Sequence, residues 1–318
     1  MLYKLFYFPA RLALYFYCRS ISVNKKSLLK IKGPVLLAAN HPNTFLDAVI
    51  FASLFHQPIY SLAKGDAFIS PFVNKILQSF NIFPVYRISE GAENLKNNYD
   101  TFARVQQLLL RGKIVLIFSE GKCVSEWHLR PLKKGTARIA FEAWESGIDV
   151  KILPAGINYS SFRHFGKNVF IEFGNIIEKE KLAGHHEGKK LNTFNDILKK
   201  ELSDLVLEIP VDDRNERKKV FELKSSRLKR ILIAVPAGIG YLINSPFYYS
   251  AHFLIRKRAH GYYDGVMVGI MFLFYPLYVF LITLLVRIAT HNPFSWLLLL
   301  IIPLTALSVL HARNVVEK

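Results

Sequence analysis

Apolar residues fall along this chain in two rhythms. From Pro34 to about Gly174, short β-compatible runs (35–39, 59–63, 82–86, 114–118, 150–157 and 169–173) alternate with stretches of helical apolar spacing at 45–55, 91–110 and 136–145. Short runs bounded by turn residues read as strands, and longer segments of period 3.6 read as amphipathic helices. The alternation predicts an α/β fold, a mostly parallel sheet flanked by helices. Such sheets place their chemistry beyond the carboxyl ends of the strands. The most telling run, VLLAA at 35–39, stops abruptly at Asn40-His41-Pro42, and a helical pattern carrying Asp47 follows at once. A histidine delivered to a sheet edge, with an aspartate close by, suits a general base and its orienting carboxylate. His41, Arg87 and Glu120 each stand just past the end of such a run.

The second rhythm is that of a membrane. Residues 266–286 carry no formal charge and are long enough to cross a hydrocarbon core, and 294–310, almost wholly apolar, is expected to cross back. Residues 231–255 contain Pro236, Gly238, Gly240, Asn244, Pro246 and His252, between KSSRLKR and RKR. Cations at both ends argue against a simple crossing, so a re-entrant or interfacial helix pair is expected. At the other end, residues 1–22 predict an interfacial helix kinked at Pro9, rather than a cleavable leader. There Lys4, Arg11 and Arg19 fall near one stripe among Phe, Tyr and Leu, as cations snorkelling to headgroups would. Between these ends lie an α/β domain over 23–210, with an amphipathic helix at 193–209, and a charged linker over 211–230 expected to be solvated. The C-terminal α-helical membrane region covers 231–318, and both termini and the α/β domain are expected on the cytoplasmic face.

Composition sharpens this picture. The 318 residues are 51% hydrophobic with a formal charge of +18. A basic balance points to nucleic acid or anionic membrane. Here the charge is spread along the chain, densest beside the membrane segments, so a bilayer and no nucleic acid is the expected partner. Two cysteines without a CxxC spacing indicate neither a disulfide framework nor a zinc site, and no metal is expected.

Three stretches carry further chemistry. FPVYR at 83–87 ends in an arginine, whose fork clamps phosphate or carboxylate bidentately. Ser119-Glu120-Gly121-Lys122 closes another run with an acid, a turn-forming glycine and a base, a setting for an anionic or polar substrate. PLKKGTARIAFEA at 131–143 opens a helix behind two lysines, where backbone donors suit an anion.

Taken in order, these stretches resemble the glycerolipid acyltransferase family, which includes glycerol-3-phosphate and lysophosphatidate acyltransferases. The resemblance runs from about Pro34 to Asn158. Asn40-His41 with Asp47 is similar to the family's Asn-His-x4-Asp block, 82–87 to its strand ending in arginine, Phe118-Ser119-Glu120-Gly121 to Phe-Pro-Glu-Gly, and 150–157 to its last apolar block with proline. The KKGTARIA segment at 133–140 is similar to the stretch the family carries between its third and fourth blocks. Two departures stand out. Five residues, not four, separate His41 from Asp47, and on a continuous helix that pair would lie about 120° apart. The two can meet only if part of 41–44 is loop, which Pro42 and Asn43 allow. In addition, Ser119 replaces proline and Lys122 stands where threonine is usual.

The resemblance implies direct acyl transfer, without cofactor, from acyl-CoA or acyl-carrier protein to a hydroxyl of a glycerophosphate or lysolipid acceptor. It casts His41 as base and Asp47 as its orienting partner. Asn40, Arg87, Glu120 and Gly121 would bind the acceptor, with Lys122 and Lys64 as further anion contacts. The Gly-x-Ser-x-Gly setting of an acyl-enzyme serine is absent. Two other readings remain at this point: a different lysolipid acceptor, or a non-catalytic lipid-binding or transport protein. Against the latter, the two clear crossings lack the charged lining a pathway usually needs.

Overall fold

The computed structural model describes residues 2–86, 95–182, 189–210, 212–221, 226–257, 259, 262–313 and 315–316. Its centre is a seven-stranded sheet built from β1 (Cys18–Val23), β2 (Val35–Ala39), β3 (Ile59–Lys64), β4 (Ile82–Val85), β5 (Ile114–Phe118), β6 (Lys151–Tyr159) and β7 (Lys167–Phe173). The strands lie in the order β1-β7-β6-β2-β5-β3-β4. Every neighbouring pair is parallel except β6–β7. All five side chains of β2 are fully buried, as a central parallel strand covered on both faces requires.

Side chains alternate between the two faces with the period of two that strands impose. Val35, Leu37 and Ala39 pack with Ile114, Leu116, Leu153 and Ala155 on one face. That face is covered by α1 (Leu2–Tyr17) and α2 (Thr44–Leu54), and by Met267 of α9 (Tyr263–Thr290). Leu36 and Ala38 look the other way, into a core with Leu109 of α4 (Leu95–Leu110), following α3 (Pro71–Ser79) in the chain, and Ala140 and Trp144 of α5 (Gly135–Glu145). Phe194 of α6 (Lys190–Ser203) completes that side. In register, Ala39 is flanked by Phe118 of β5 and Ala155 of β6. The chain therefore leaves β2 and β5 at one edge, bringing Asn40-His41 beside Ser119-Glu120.

Several expectations need correction. The N-terminal helix ends at Tyr17, not at residue 22, because Cys18-Arg-Ser-Ile-Ser-Val alternates like a strand and adds to the sheet edge against β7. Leu14 and Tyr17 of α1 are buried while Leu5, Phe8, Leu12 and Tyr15 are exposed, the two-faced arrangement of a helix at an interface. The charged stretch over 211–230 is not wholly solvated. Its helix α7 (Arg214–Phe221) buries Phe221 and Arg217, with the guanidinium 5.0 Å from the Trp127 ring centre. Phe221 also accepts a hydrogen bond at its carbonyl from Asn168 Nδ2.

The re-entrant helix pair expected over 231–255 is absent. That segment lies in one continuous helix, α8 (Arg227–Ile255), which takes up Pro236 and Pro246 without reversing. Its close partner is α10 (Leu298–Ala312): a Cβ on Gly240 would stand 2.3 Å from the carbonyl oxygen of Thr305. Small residues allow such backbone approach between apolar helices. By length and composition three helical segments, Ile231–Ile255, Tyr263–Thr290 and Pro293–Ala312, could cross a membrane. Leu242, Phe274, Leu285, Leu300 and Leu304 point outward from them, as lipid-facing side chains would.

Gly156 marks where α6 closes on the sheet. A Cβ there would lie 2.5 Å from the backbone oxygen of Leu205, an atom that cannot swing aside. Gly156→Ala should therefore cost ~1–3 kcal/mol through overpacking. Thermal denaturation checks this, and an unchanged Tm would mean that the chain after α6 is not pinned to β6.

Candidate active site

Parallel strand β2 delivers Asn40 and His41 to the sheet edge, and Asp47 returns from the first turn of α2. His41 Nδ1 and Asp47 Oδ2 are 2.8 Å apart. The five-residue spacing is accommodated because residues 41–43 are not helical and α2 begins only at Thr44. Thr44 itself has φ of 47°, a strained value for a β-branched residue. Such strain persists only where surroundings hold it. Here the Thr44 N–H donates to Cys123 Sγ at 3.0 Å.

Asp47 is fully buried and accepts three hydrogen bonds. Besides His41, the Asn43 N–H donates to Oδ2 at 2.8 Å and the Tyr159 hydroxyl to Oδ1 at 2.6 Å. Burial, then the Asp47 charge, pushes the Tyr159 phenol well above its ordinary value, so it keeps its proton and donates. A carboxylate held this way fixes the imidazole with Nδ1–H toward it, leaving Nε2 as the free basic nitrogen. The ring stacks on Phe118, centroids 3.7 Å apart and planes 8° off parallel. With 19% of its side chain exposed, His41 can still be reached.

Glu120 and Asn40, expected from the sequence to bind the acceptor, also hold backbone. Glu120 is buried, and its two oxygens accept the backbone N–H groups of His41, at 2.9 Å, and Arg130, at 3.0 Å. Burial raises its carboxyl above the usual range, and these two donors act against the rise. Asn40 is buried as well, and its side chain both donates to and accepts from the backbone of Ile157. Both residues clamp the loop that presents His41. Buried polar groups need such partners, and backbone donors at a strand edge supply them.

Of the other candidates, Gly121, Lys122 and Lys64 lie on the same sheet edge. Gly121 turns the chain after Glu120 with φ of +64°, and Lys122 beside it is exposed. Lys64 ends β3, two strands from β2, and is half-exposed in an ion pair with Asp66. Arg87 lies outside the described residues. Ser119, where the family has proline, accepts from the Thr136 hydroxyl at 3.0 Å and so ties this loop to the start of α5. Among the described residues, no group of three or more His, Cys, Asp or Glu side chains could hold a metal. Sequence reading missed Tyr159, Asn43 and Cys123. Tyr159 carried a signal, since it follows the last apolar block on the strand next to β2.

An apolar cavity of about 230 Å³ runs beside α2. Tyr3 and Tyr7 of α1, Phe45 and Val49 of α2, Phe80, and Val268 of α9 line it. Phe45 and Leu46, both on its wall, immediately precede Asp47.

Residues 20–158 match the family model described as Acyltransferase. Over 89 residues the chain is 35% identical to glycerol-3-phosphate O-acyltransferase 1 of Saccharomyces cerevisiae, a match covering 27% of this chain and 12% of that protein. The chain thus spans only about an eighth of the length of that relative. The solved 1-acyl-sn-glycerophosphate acyltransferase PlsC of Thermotoga maritima aligns with a TM-score of 0.44 at 14% identity, covering 64% of this chain and 78% of PlsC.

Glu120→Gln separates a clamp from a substrate contact. An amide can accept only one of the two backbone N–H groups well, so the variant should lose ~1–3 kcal/mol of stability. Chemical denaturation measures it. Full stability with a weakened acceptor affinity would instead place Glu120 on the substrate.

Proposed function

We propose that this chain, whose residues 20–158 match an acyltransferase family model, moves a fatty acyl group from a thioester to a glycerol-3-phosphate-type hydroxyl at the membrane surface. The observation that carries this reading is the buried Asp47 holding His41 through Nδ1, at a strand edge, with part of the imidazole still exposed. In the proposed step, His41 Nε2 takes the proton of the acceptor hydroxyl as its oxygen attacks the thioester carbonyl. The tetrahedral intermediate collapses with loss of the thiolate, and the imidazolium returns the proton to it. Asp47 stabilises the imidazolium in place. A positioned base of this kind contributes ~10²–10⁴ in rate.

The acceptor phosphate belongs, in this reading, to cations that follow strand ends in the sequence. Arg87 is its main clamp and Lys64, Lys122 and the Gly121 turn are secondary contacts, as the sequence pattern suggests. The donor is acyl-CoA or acyl-carrier protein, and its acyl chain fits the apolar cavity along α2. No cofactor takes part. Cys123 is a poor covalent alternative, because burial pushes its thiol up to about 12 and its sulfur already accepts from Thr44.

We further read the catalytic domain as sitting on the cytoplasmic face, with α9 and α10 as a transmembrane hairpin. Helix α8 would then keep both ends on the side of the catalytic domain. Its carboxyl end is tied there by Ala251 and Ile255, which belong to the sheet's core cluster. Its amino end follows Phe221, buried in the same core, by six residues, a reach of at most ~21 Å. That is less than the ~30 Å of a hydrocarbon core.

His41→Ala should reduce acceptor-dependent thiol release from acyl-CoA or acyl-carrier protein by at least ~10²-fold. Glycerol 3-phosphate, dihydroxyacetone phosphate, lysophosphatidate and other lysolipids would be offered in parallel, and equal release by both proteins would overturn the reading. For α8, single cysteines placed at Ser226 and Lys257 should both be labelled by impermeant reagent from the same side of sealed vesicles; labelling from opposite sides would mean that the helix crosses.

A further inference from the structure

The three donors on Asp47 do not stand alone; one is anchored by a residue far away in sequence. Asn43, whose N–H donates to Asp47 Oδ2, also donates through Nδ2 to Asp264 Oδ2 at 2.6 Å. Asp264 sits in the first turn of α9, outside the segment that matches the acyltransferase family. It is fully buried, pairs with the equally buried Lys167 of β7, and accepts the Tyr17 hydroxyl of α1 on its other oxygen at 2.5 Å. The Lys167 ammonium lies 5.6 Å from the Tyr17 ring centre and 5.7 Å from that of Tyr159, the tyrosine that donates to Asp47 Oδ1. A closed buried network therefore joins the head of α9 to the His41–Asp47 pair.

From this geometry we propose that Asp264 is a positioning residue for the His41–Asp47 pair, acting through the Asn43 side chain and coupling the C-terminal helices to the catalytic loop. The inference rests on the function proposed above. Its physical basis is that the loop at 42–44 is strained at Thr44, and that the turn bond from the Leu46 N–H to the Asn43 carbonyl, 3.1 Å long, leaves the Asn43 side chain to be fixed by other means. The Asp264 bond fixes the Asn43 side chain, and with it the backbone N–H aimed at Asp47. A lone carboxylate heading an apolar helix would be costly without partners, and such groups are usually kept for a role. Asp264 touches neither His41 nor Asp47 in any hydrogen bond, so its effect must be indirect.

Breaking one member of a buried ion pair can unfold a protein, so the test removes both charges together. Asp264→Leu with Lys167→Met deletes the acceptor for Asn43, whereas Asp264→Asn with Lys167→Met deletes the charges and keeps an acceptor oxygen. Asn43→Ala cuts the same link from the other side and leaves the ion pair and Tyr17 contact intact. Each full-length protein would be assayed in detergent for kcat and KM with the acceptor identified by the His41→Ala comparison. The Leu/Met pair and Asn43→Ala should each lower kcat by about 10- to 100-fold with KM nearly unchanged, as a misplaced catalytic group does. Combined, they should lower it no further than one alone, and the Asn/Met pair should keep most of the wild-type kcat. Multiplying losses, or wild-type kcat in Asn43→Ala, overturns the proposal; if the Leu/Met protein fails to fold, Asn43→Ala and the Asn/Met pair still decide it. The His41 Nδ1–H proton resonance supplies a second readout. It should be retained in the Asn/Met pair and shifted or lost in Asn43→Ala, even if no acceptor is turned over and the functional reading fails; an unmoved resonance in Asn43→Ala counts against the link.

Discussion

Everything at the candidate site depends on one buried carboxylate and the donors that surround it. Asp47 is wholly removed from water, and such a group is costly unless each oxygen finds hydrogen bonds. Its three donors come from two places: the His41 imidazole and Asn43 N–H of the loop after β2, and the Tyr159 hydroxyl at the end of β6. The carboxylate therefore welds adjacent strands to the start of α2. Its satisfaction and the orientation of His41 are the same fact seen from two sides.

A second layer of polar contacts holds that arrangement in turn. Glu120 and Asn40 each hold the backbone around His41 with their side-chain polar atoms. Lys167, Asp264 and Tyr17 extend the network into β7, α9 and α1. Networks of this kind are rigid when every member is satisfied and costly when one is removed. That rigidity suits a site whose loop carries backbone strain at Thr44. The C-terminal helices accordingly pack directly on the central sheet, through Ala251, Ile255, Met267 and Leu310. Phe221 and Arg217 fasten the intervening charged stretch to the same core.

The surface of the molecule divides by what each face must meet. The α4–α5–α6 side is amphipathic in the ordinary way, with an apolar stripe inward and charge outward. The α1 side and the C-terminal helices expose Leu, Phe and Tyr that water would not tolerate in such density. The apolar cavity lies between α1, α2 and α9, on that same side. A chain partitioned in the bilayer and a base at the strand edge would thus approach each other along α2.

By itself the sequence determined the strand–helix alternation, the site edge and the membrane-length apolar runs, because hydrophobic period and strand-end polar residues are local signals. Val35–Ala39 and Ile114–Phe118 form with the limits their patterns imply, and His41 and Asp47 meet as the loop residues between them allow. The tertiary structure alone decided the rest. That Cys18–Val23 would be an edge strand depended on β7 being there to pair with it. That residues 231–255 would run as one helix depended on α10, whose backbone can approach Gly240. Which backbone groups Glu120 and Asn40 would hold depended on what folding brought within reach of their side chains. Asp264, some two hundred residues from Asn43, could join the site only once folding had placed the head of α9 beneath the loop. Local pattern fixes elements; which buried polar groups satisfy one another is a property of the assembled core.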